Sequence, residues 1–290
     1  MAAASLALEP DTVLRRNRVL ISGSGTRPML FAHGFGCDQS MWRYVAPEFE
    51  RDHRVVLFDH VGCGSSDRSA YRMDRYGTLG GYADDVLEII AAAALEDVIF
   101  VGHSVSAMIG VLAAERAPEL FRALVMVGPS PRYIDEPGYK GGFAQADVEE
   151  LLELLERNHT EWSQQMAPLV MANPENPQLA RELANSFCRM DPFVARRFAR
   201  VTFCSDTREH LPRCRIPTLI LQCSGDVIAP VEVGEYLQRS IPDSRYVLMN
   251  ATGHCPHLSA PRETIEQIRR YLEDLEPRSS DPRADVTVPG

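Results

Sequence analysis

One serine of this chain stands where a nucleophile is commonly displayed. Ser104 lies between an apolar run at residues 98–103 and a helix-like stretch rich in small residues. In the pattern G-x-S-x-G, such a serine occupies a sharp strand-to-helix turn that exposes its hydroxyl. Gly102 fits the pattern, whereas Ser106 replaces the final glycine and adds a Cβ and a hydroxyl. We interpret Ser104 as the nucleophile, and a chance serine at a turn is the alternative that this motif alone leaves open.

A candidate acid and a candidate base follow in the order serine, acid, histidine that belongs to this kind of turn. Asp226 comes directly after the late apolar run TLILQCSG, and His254 follows the last such run. His254 would take the proton from Ser104 as general base, while Asp226 would fix the imidazole tautomer and stabilise its charged form. The resulting chemistry is acyl transfer through a serine ester that water hydrolyses.

Four other residues compete for these two roles. Asp59 ends an earlier run in a glycine-rich turn, where backbone binding is the simpler interpretation, and Asp206 lies at the end of a helix-rich segment. His257 follows a proline at a predicted helix start and is interpreted as structural. His103 would point away from the nucleophile in such a turn and is expected to be a packed, hydrogen-bonded core histidine.

The segment MLFAHGFG offers the second half of an oxyanion hole. His33 and Gly34 would turn the chain so that the backbone N–H of Phe35 faces the nucleophile, with the N–H of Val105 as the other donor. Loss of one such donor typically costs about 3 kcal/mol of barrier. A plain tight turn is the alternative, and neither part of this chemistry requires a metal or a cofactor.

The elements that must position these residues are short apolar runs alternating with helix-like stretches. Six runs end in Gly, His or Asp and predict buried parallel strands, and residues 12–23 predict an N-terminal hairpin. This alternation indicates an α/β class protein, and with the serine turn we expect the α/β-hydrolase fold, a mostly parallel eight-stranded sheet flanked by helices.

The alternation stops over about residues 132–206, where four helix-like stretches are punctuated by prolines. We interpret this segment as a four-helix lid inserted into a single domain spanning residues 13–275. Residues 276–290 are rich in proline and charge, which predicts a disordered tail.

Composition narrows the range of partners and compartments. The net charge of −10 gives no overall attraction to nucleic acid or anionic membrane, and Arg196, Arg197 and Arg200 are interpreted as a solvated helix face. The seven cysteines are scattered without a C-x-x-C pair or metal-type spacing, as expected of free thiols in a reducing compartment. The start of the chain lacks the layout of a signal peptide, and no apolar run reaches the ~20 residues of a membrane span. We expect a cytoplasmic protein.

Five segments together resemble the RsbQ family of bacterial stress-signalling hydrolases and its plant relatives, the karrikin and strigolactone receptors. They are residues 33–42, 58–67, 102–110, 127–133 and 253–261. The similarity runs from about residue 13 to 273, and the plant receptors share Ser106. It implies a V-shaped lid over a mostly apolar pocket, slow hydrolysis of a small hydrophobic ester, lactone or butenolide, and signalling through a protein partner.

The resemblance also implies which residues line the pocket and which partners are engaged. By motif position the lining would be Phe35, Val105, Tyr133, Phe143, Trp162, Met166 and Phe203. The lid aromatics could equally be core residues of the lid helices. The implied partner is a PAS-domain phosphatase in the bacterial branch and an F-box protein in the plant branch.

Several alternatives stay open at this point. An ordinary metabolic carboxylesterase or lactonase without a partner would carry the same triad, and a binding module could keep the fold without turnover. Cofactor-free haloperoxidases share the serine triad as well. Haloalkane dehalogenases and epoxide hydrolases are set aside because their nucleophile is an aspartate.

Overall fold

A seven-stranded sheet forms the centre of the computed structural model, which describes residues 9–275. The strand order is β1-β3-β2-β4-β5-β6-β7, with β1 antiparallel to β3 and the other neighbours parallel. The strands are β1 (Leu20–Ser22), β2 (Arg27–Ala32), β3 (His53–Phe58), β4 (Val98–His103), β5 (Phe121–Val127), β6 (Thr218–Gly225) and β7 (Ser244–Thr252).

Helices cover both faces of this sheet. The helices are α1 (Pro10–Arg16), α2 (Leu79–Ala92), α3 (Val105–Arg116), α4 (Gln145–Arg157), α5 (His159–Met171), α6 (Pro177–Arg189), α7 (Pro192–Phe203), α8 (Val231–Ser240), α9 (Pro256–Ser259) and α10 (Pro261–Leu275). Successive residues of β2 enter opposite cores: Leu30 belongs to the core that includes residues of α2, α3 and α8, and Phe31 belongs to the core that includes residues of α10. The six predicted parallel strands are therefore present: β4 at the centre is buried throughout, whereas β7 at the sheet edge is only partly buried.

The N-terminal hairpin is a wrong prediction. Residues Pro10–Arg16 form helix α1, so only β1 joins the sheet from this segment, and residues 9–275 contain seven strands rather than eight. A proline in the first turn and Asp11 favour the start of a helix, and Arg15 and Arg16 favour its end. Val13 is buried, so the helix is also held by packing.

Helix α1 is fixed to α2 by a buried ion-pair cluster. Arg16 lies 3.1 Å from the Asp85 carboxylate and 2.7 Å from that of Glu88, and Arg75 lies 2.6 Å from Asp85. The Asp85 side chain is fully buried and also accepts a 2.9 Å hydrogen bond from Tyr76. The cluster joins segments that are far apart in the sequence, so it holds α1 against α2.

We expect Asp85→Ala to lower the free energy of unfolding by about 3–5 kcal/mol, because Arg16, Arg75 and Tyr76 would lose the buried carboxylate that they share. Urea unfolding followed by circular dichroism measures this loss. The matched control is Asp84→Ala, whose exposed carboxylate pairs with Arg116 and should contribute about 1 kcal/mol or less. Equal losses of unfolding free energy in the two variants would show that the buried cluster stabilises the fold no more than an exposed ion pair does.

Four consecutive helices, α4 to α7, lie between β5 and β6 and form the lid. Their inward faces are apolar, with Leu155, Trp162, Leu183 and Phe203 buried in one cluster. The four-helix lid is thus present within the predicted segment. The predicted tail at 276–290 lies outside the described residues. None of the helices within 9–275 is both long enough and apolar enough to cross a bilayer.

Candidate active site

Ser104 lies at the sharp turn between β4 and α3. Its φ of +56° and ψ of −123° are a strained conformation for a non-glycine residue, held in place by a 2.8 Å hydrogen bond from its amide to the carbonyl of Val127. A Cβ at Gly102 would lie 2.6 Å from the carbonyl oxygen of Ser106, so only glycine lets the helix approach the strand. The predicted turn is therefore formed.

The three residues predicted as a triad form one hydrogen-bonded chain. Nε2 of His254 lies 2.7 Å from Oγ of Ser104, and Nδ1 of His254 lies 2.7 Å from Oδ2 of Asp226. All three are buried. The other carboxylate oxygen of Asp226 accepts the amides of Ile228 at 2.8 Å and Ala229 at 3.1 Å, so its orientation is fixed by the turn after β6.

His254 is held by the lid as well as by β7. Its backbone amide donates a 2.8 Å hydrogen bond to the carbonyl of Val170, near the end of α5. Gly253, with a φ of +77°, lies so close to the lid that a Cβ would be 2.0 Å from the carbonyl oxygen of Met171. The position of the imidazole is therefore coupled to the position of α5.

We expect Gly253→Ala to lower kcat/KM about 100-fold, since a shift near 1 Å at a reacting group can cost that much. The ester hydrolysis rate and the melting temperature measure the effect. Gly138→Ala is the matched control, because Gly138 has a similar φ of +81° but its Cβ would meet nothing within 4 Å. If both variants kept wild-type activity, close contact with the lid would not position His254.

The two predicted oxyanion donors follow β2 and Ser104. Within residues 9–275, the amides of Phe35 and Val105 donate to no other protein group. The hydroxyl of Ser106 donates to the carbonyl of His33, and Nε2 of His60 lies 2.7 Å from the same hydroxyl. Ser106, which replaces the final glycine of G-x-S-x-G, thus links the nucleophile turn to the loop that carries Phe35.

Three of the four competing residues bind other groups. Asp59 accepts the amides of Gln39 and Ser65, each at 2.8 Å, and so binds backbone. Asp206 pairs with Arg208 at 2.5 Å, away from the chain of Ser104 and His254. His103 donates from Nε2 to the carbonyl of His254 at 2.8 Å and is buried, as expected of a core histidine. The structure brings neither carboxylate to His254.

An apolar cavity of about 40 Å³ reaches Ser104 and His254 beneath the lid. Five of the residues implied by the resemblance line it, namely Phe35, Tyr133, Trp162, Met166 and Phe203. Phe143 does not: it lies on the loop before α4, and its ring centroid is 6.3 Å from that of Phe203. The side chain of Val105 is in the core of the domain, also outside the lining.

Sequence reasoning missed other lining residues on the lid. Leu183 and Phe187 of α6 both face the cavity, and the Phe187 ring lies 5.1 Å from that of Trp162. They are four residues apart, so the apolar face of α6 was the signal that could have found them. Thr202 of α7 also lines the cavity, and no sequence pattern distinguished it.

Tyr133 is the polar group of the cavity nearest to the nucleophile outside the triad. Its hydroxyl lies 3.3 Å from Oγ of Ser104, and the residue is 1% exposed. Burial raises the pKa of Tyr133 to about 12, so the hydroxyl stays protonated at neutral pH. The site therefore offers a neutral hydrogen-bond donor beside Ser104.

Comparison with known proteins agrees with this geometry. Residues 29–267 match the alpha/beta hydrolase family. Strigolactone esterase D14 of Arabidopsis thaliana is 38% identical over 266 residues, covering 91% of this chain and 99% of that protein. Karrikin insensitive 2 receptor CA of Petunia hybrida is 38% identical over 257 residues, covering 88% and 95% respectively.

Among solved structures, a hydrolase from Oleispira antarctica superposes with a TM-score of 0.91 at 40% identity, covering 93% of this chain and all of that one. The predicted likeness to the karrikin and strigolactone receptors is thus confirmed. The chain belongs to the alpha/beta hydrolase family and is an enzyme with a Ser-His-Asp triad, of the kind that hydrolyses carboxylic esters or lactones.

Proposed function

We propose that this protein hydrolyses a small hydrophobic ester, lactone or butenolide with Ser104 as nucleophile and acts as a signalling receptor for that compound. The observation that carries the proposal is the hydrogen-bonded chain from Asp226 through His254 to Ser104 at the end of an apolar cavity. A serine so activated, facing an apolar cavity, suits an uncharged acyl substrate.

The reaction follows from the positions of these groups. Oγ of Ser104 attacks the carbonyl carbon as His254 takes its proton, and the oxyanion forms next to the free amides of Phe35 and Val105. His254 then gives the proton to the leaving alcohol, leaving an acyl group on Ser104. Water, deprotonated by His254, attacks this ester and releases the acid. In a lactone the leaving alcohol stays attached to the acyl group.

The lid sets the access of substrate to this chemistry. The cavity volume of about 40 Å³ is well below the roughly 300–1,000 Å³ of pockets that hold drug-sized ligands. A substrate of even ten heavy atoms therefore requires the cavity beneath the lid to enlarge. Because α5 contacts the His254 loop, lid movement and the state of the triad are coupled, which is the property that a hydrolase receptor needs.

The signalling part of the proposal is supported by the relatives named as a karrikin receptor and a strigolactone esterase. A protein partner would read the position of the lid. By analogy with the two branches of the family, that partner is a PAS-domain phosphatase in a bacterium or an F-box protein in a plant.

The test compares wild type with Ser104→Ala on p-nitrophenyl esters and a fluorogenic butenolide, following product release and intact mass. We expect slow butenolide turnover by wild type, a mass adduct on Ser104 or His254, and neither in the variant. A ligand-dependent shift in melting temperature should accompany the adduct. Fast turnover of simple esters without adduct or shift would instead establish a metabolic carboxylesterase or lactonase and refute the receptor role.

A further inference from the structure

Behind the triad lies a cluster of side chains that the hydrolytic mechanism does not use. His103, Cys255 and His257 are all buried, and one ligand atom from each lies within 4.8 Å of the other two. Two of them are chain neighbours of triad residues, since His103 precedes Ser104 and Cys255 follows His254. Their sequence spacing gave no warning of this convergence, because β4 and the loop after β7 are brought together only by the fold.

The hydrogen bonding of His103 leaves one ring nitrogen available. Its Nε2 donates to the backbone carbonyl of His254 at 2.8 Å, so Nδ1 carries a lone pair, and Nδ1 has no hydrogen-bond partner in residues 9–275. Histidines that bind metals usually make this arrangement, with the other ring nitrogen donating to a carbonyl or carboxylate.

His257 has even fewer hydrogen-bond partners than His103. Neither of its ring nitrogens has a hydrogen-bond partner in the described part of the chain, although the residue is fully buried. Its ring lies between that of Trp42, at 4.7 Å, and that of His103, at 4.4 Å. A buried polar ring without a partner is costly unless something binds it.

We propose that His103, Cys255 and His257 bind zinc(II) through two imidazole nitrogens and one thiolate. Zinc accepts this donor set at about 2.0–2.3 Å, which places neighbouring ligand atoms roughly 3.5 Å apart. Because these atoms lie up to 4.8 Å apart, binding must draw them together by about 1 Å. His103 and Cys255 both line the active-site cavity, which gives the ion a path of entry and an open fourth position.

Binding is a simple exchange of a proton for a metal ion. The S–H bond of Cys255 breaks, its proton goes to solvent, and a Zn–S bond forms without any change of oxidation state.

The ion would also affect hydrolysis if the proposed function is correct. Drawing His103 and Cys255 toward one centre displaces the backbone on either side of Ser104 and His254. We expect at least a 10-fold loss of kcat at saturating zinc, reversed by a chelator, because misplacement near 1 Å is enough for such a loss. Zinc is therefore an inhibitor in this proposal and takes no part in bond cleavage.

The experiment measures binding apart from activity. Chelator-treated full-length protein in a non-thiol reductant is equilibrated with zinc chloride, desalted, and assayed for retained zinc. In a separate sample, cobalt(II) is added and the absorption spectrum is searched for the thiolate-to-cobalt charge-transfer band. The background variant is Cys188→Ser with Cys204→Ser, which removes the two exposed thiols. In that background we expect about one zinc per chain and the cobalt band.

Adding Cys255→Ser to this background should abolish the cobalt band and weaken zinc binding at least 10-fold. Adding His257→Gln instead should weaken zinc binding by a similar factor. Circular dichroism checks that each variant is folded. Failure of the background variant to retain zinc, or equal retention after Cys255→Ser, would overturn the site. If Cys255→Ser does not fold, His257→Gln and the cobalt band still decide the question. If no zinc-free sample hydrolysed the ester, that outcome would count against the proposed function, whereas the measured zinc affinity would still stand.

Discussion

Replacing Ser104 with alanine is expected to lower kcat for ester hydrolysis by at least about 10⁴-fold, because removal of the nucleophile of a serine hydrolase typically costs that much or more. The substitution removes one buried oxygen that lies 2.7 Å from Nε2 of His254 and 3.3 Å from the Tyr133 hydroxyl. The substitution does not relieve the backbone strain, because alanine must adopt the same φ of +56° at this position. The melting temperature should therefore change little.

Steady-state hydrolysis of p-nitrophenyl acetate and intact mass after substrate addition measure this effect together. The control is Ser69→Ala, an exposed serine whose hydroxyl bonds only to Asp67, and it should match wild type. An acyl adduct in wild type and Ser69→Ala but not in Ser104→Ala would identify the nucleophile. Equal rates in Ser104→Ala and wild type would remove the basis of the proposed mechanism.

The parts of the site that sequence could predict are those positioned by backbone alone. In a parallel sheet the carboxyl ends of the strands share one edge, so residues that directly follow strands must meet there. Ser104, Asp226 and His254 each follow a strand, which is why three loops spread over the sequence could be placed together. The loop carrying Phe35 follows β2 for the same reason.

The parts that could not be predicted depend on contacts between side chains or between the lid and the sheet. A hairpin was predicted where α1 forms because the partners of Arg16, Asp85 and Glu88, are about 70 residues away in the sequence. Phe143 has an aromatic side chain at a plausible position, yet the loop places it behind Phe203. The close approach of Gly253 to α5 depends on how the lid seats, and no local pattern encodes that.

The Asp226→Asn variant is expected to lower kcat by about 10⁴-fold, close to the effect of losing the corresponding carboxylate elsewhere in serine enzymes. Oδ1 accepts the amides of Ile228 and Ala229, so the new amide NH₂ must take the position of Oδ2 and face Nδ1 of His254. That amide donates a hydrogen bond, which forces the imidazole proton onto Nε2. A protonated Nε2 cannot accept the proton of Ser104.

The same substitution at the competing carboxylate provides the control, because Asp206→Asn weakens only part-exposed ion pairs with Arg208 and Arg132. We expect that variant to retain wild-type kcat.

Single-turnover kinetics separate the two steps that His254 assists. Asp226→Asn should slow both acylation and deacylation, because the wrong tautomer impairs each proton transfer. If only deacylation slowed, Asp226 would act in positioning water and not in setting the tautomer of His254. A full rate in Asp226→Asn would show that the orientation of His254 comes from its backbone contact with the lid, whose amide-to-carbonyl bond to Val170 the substitution leaves in place.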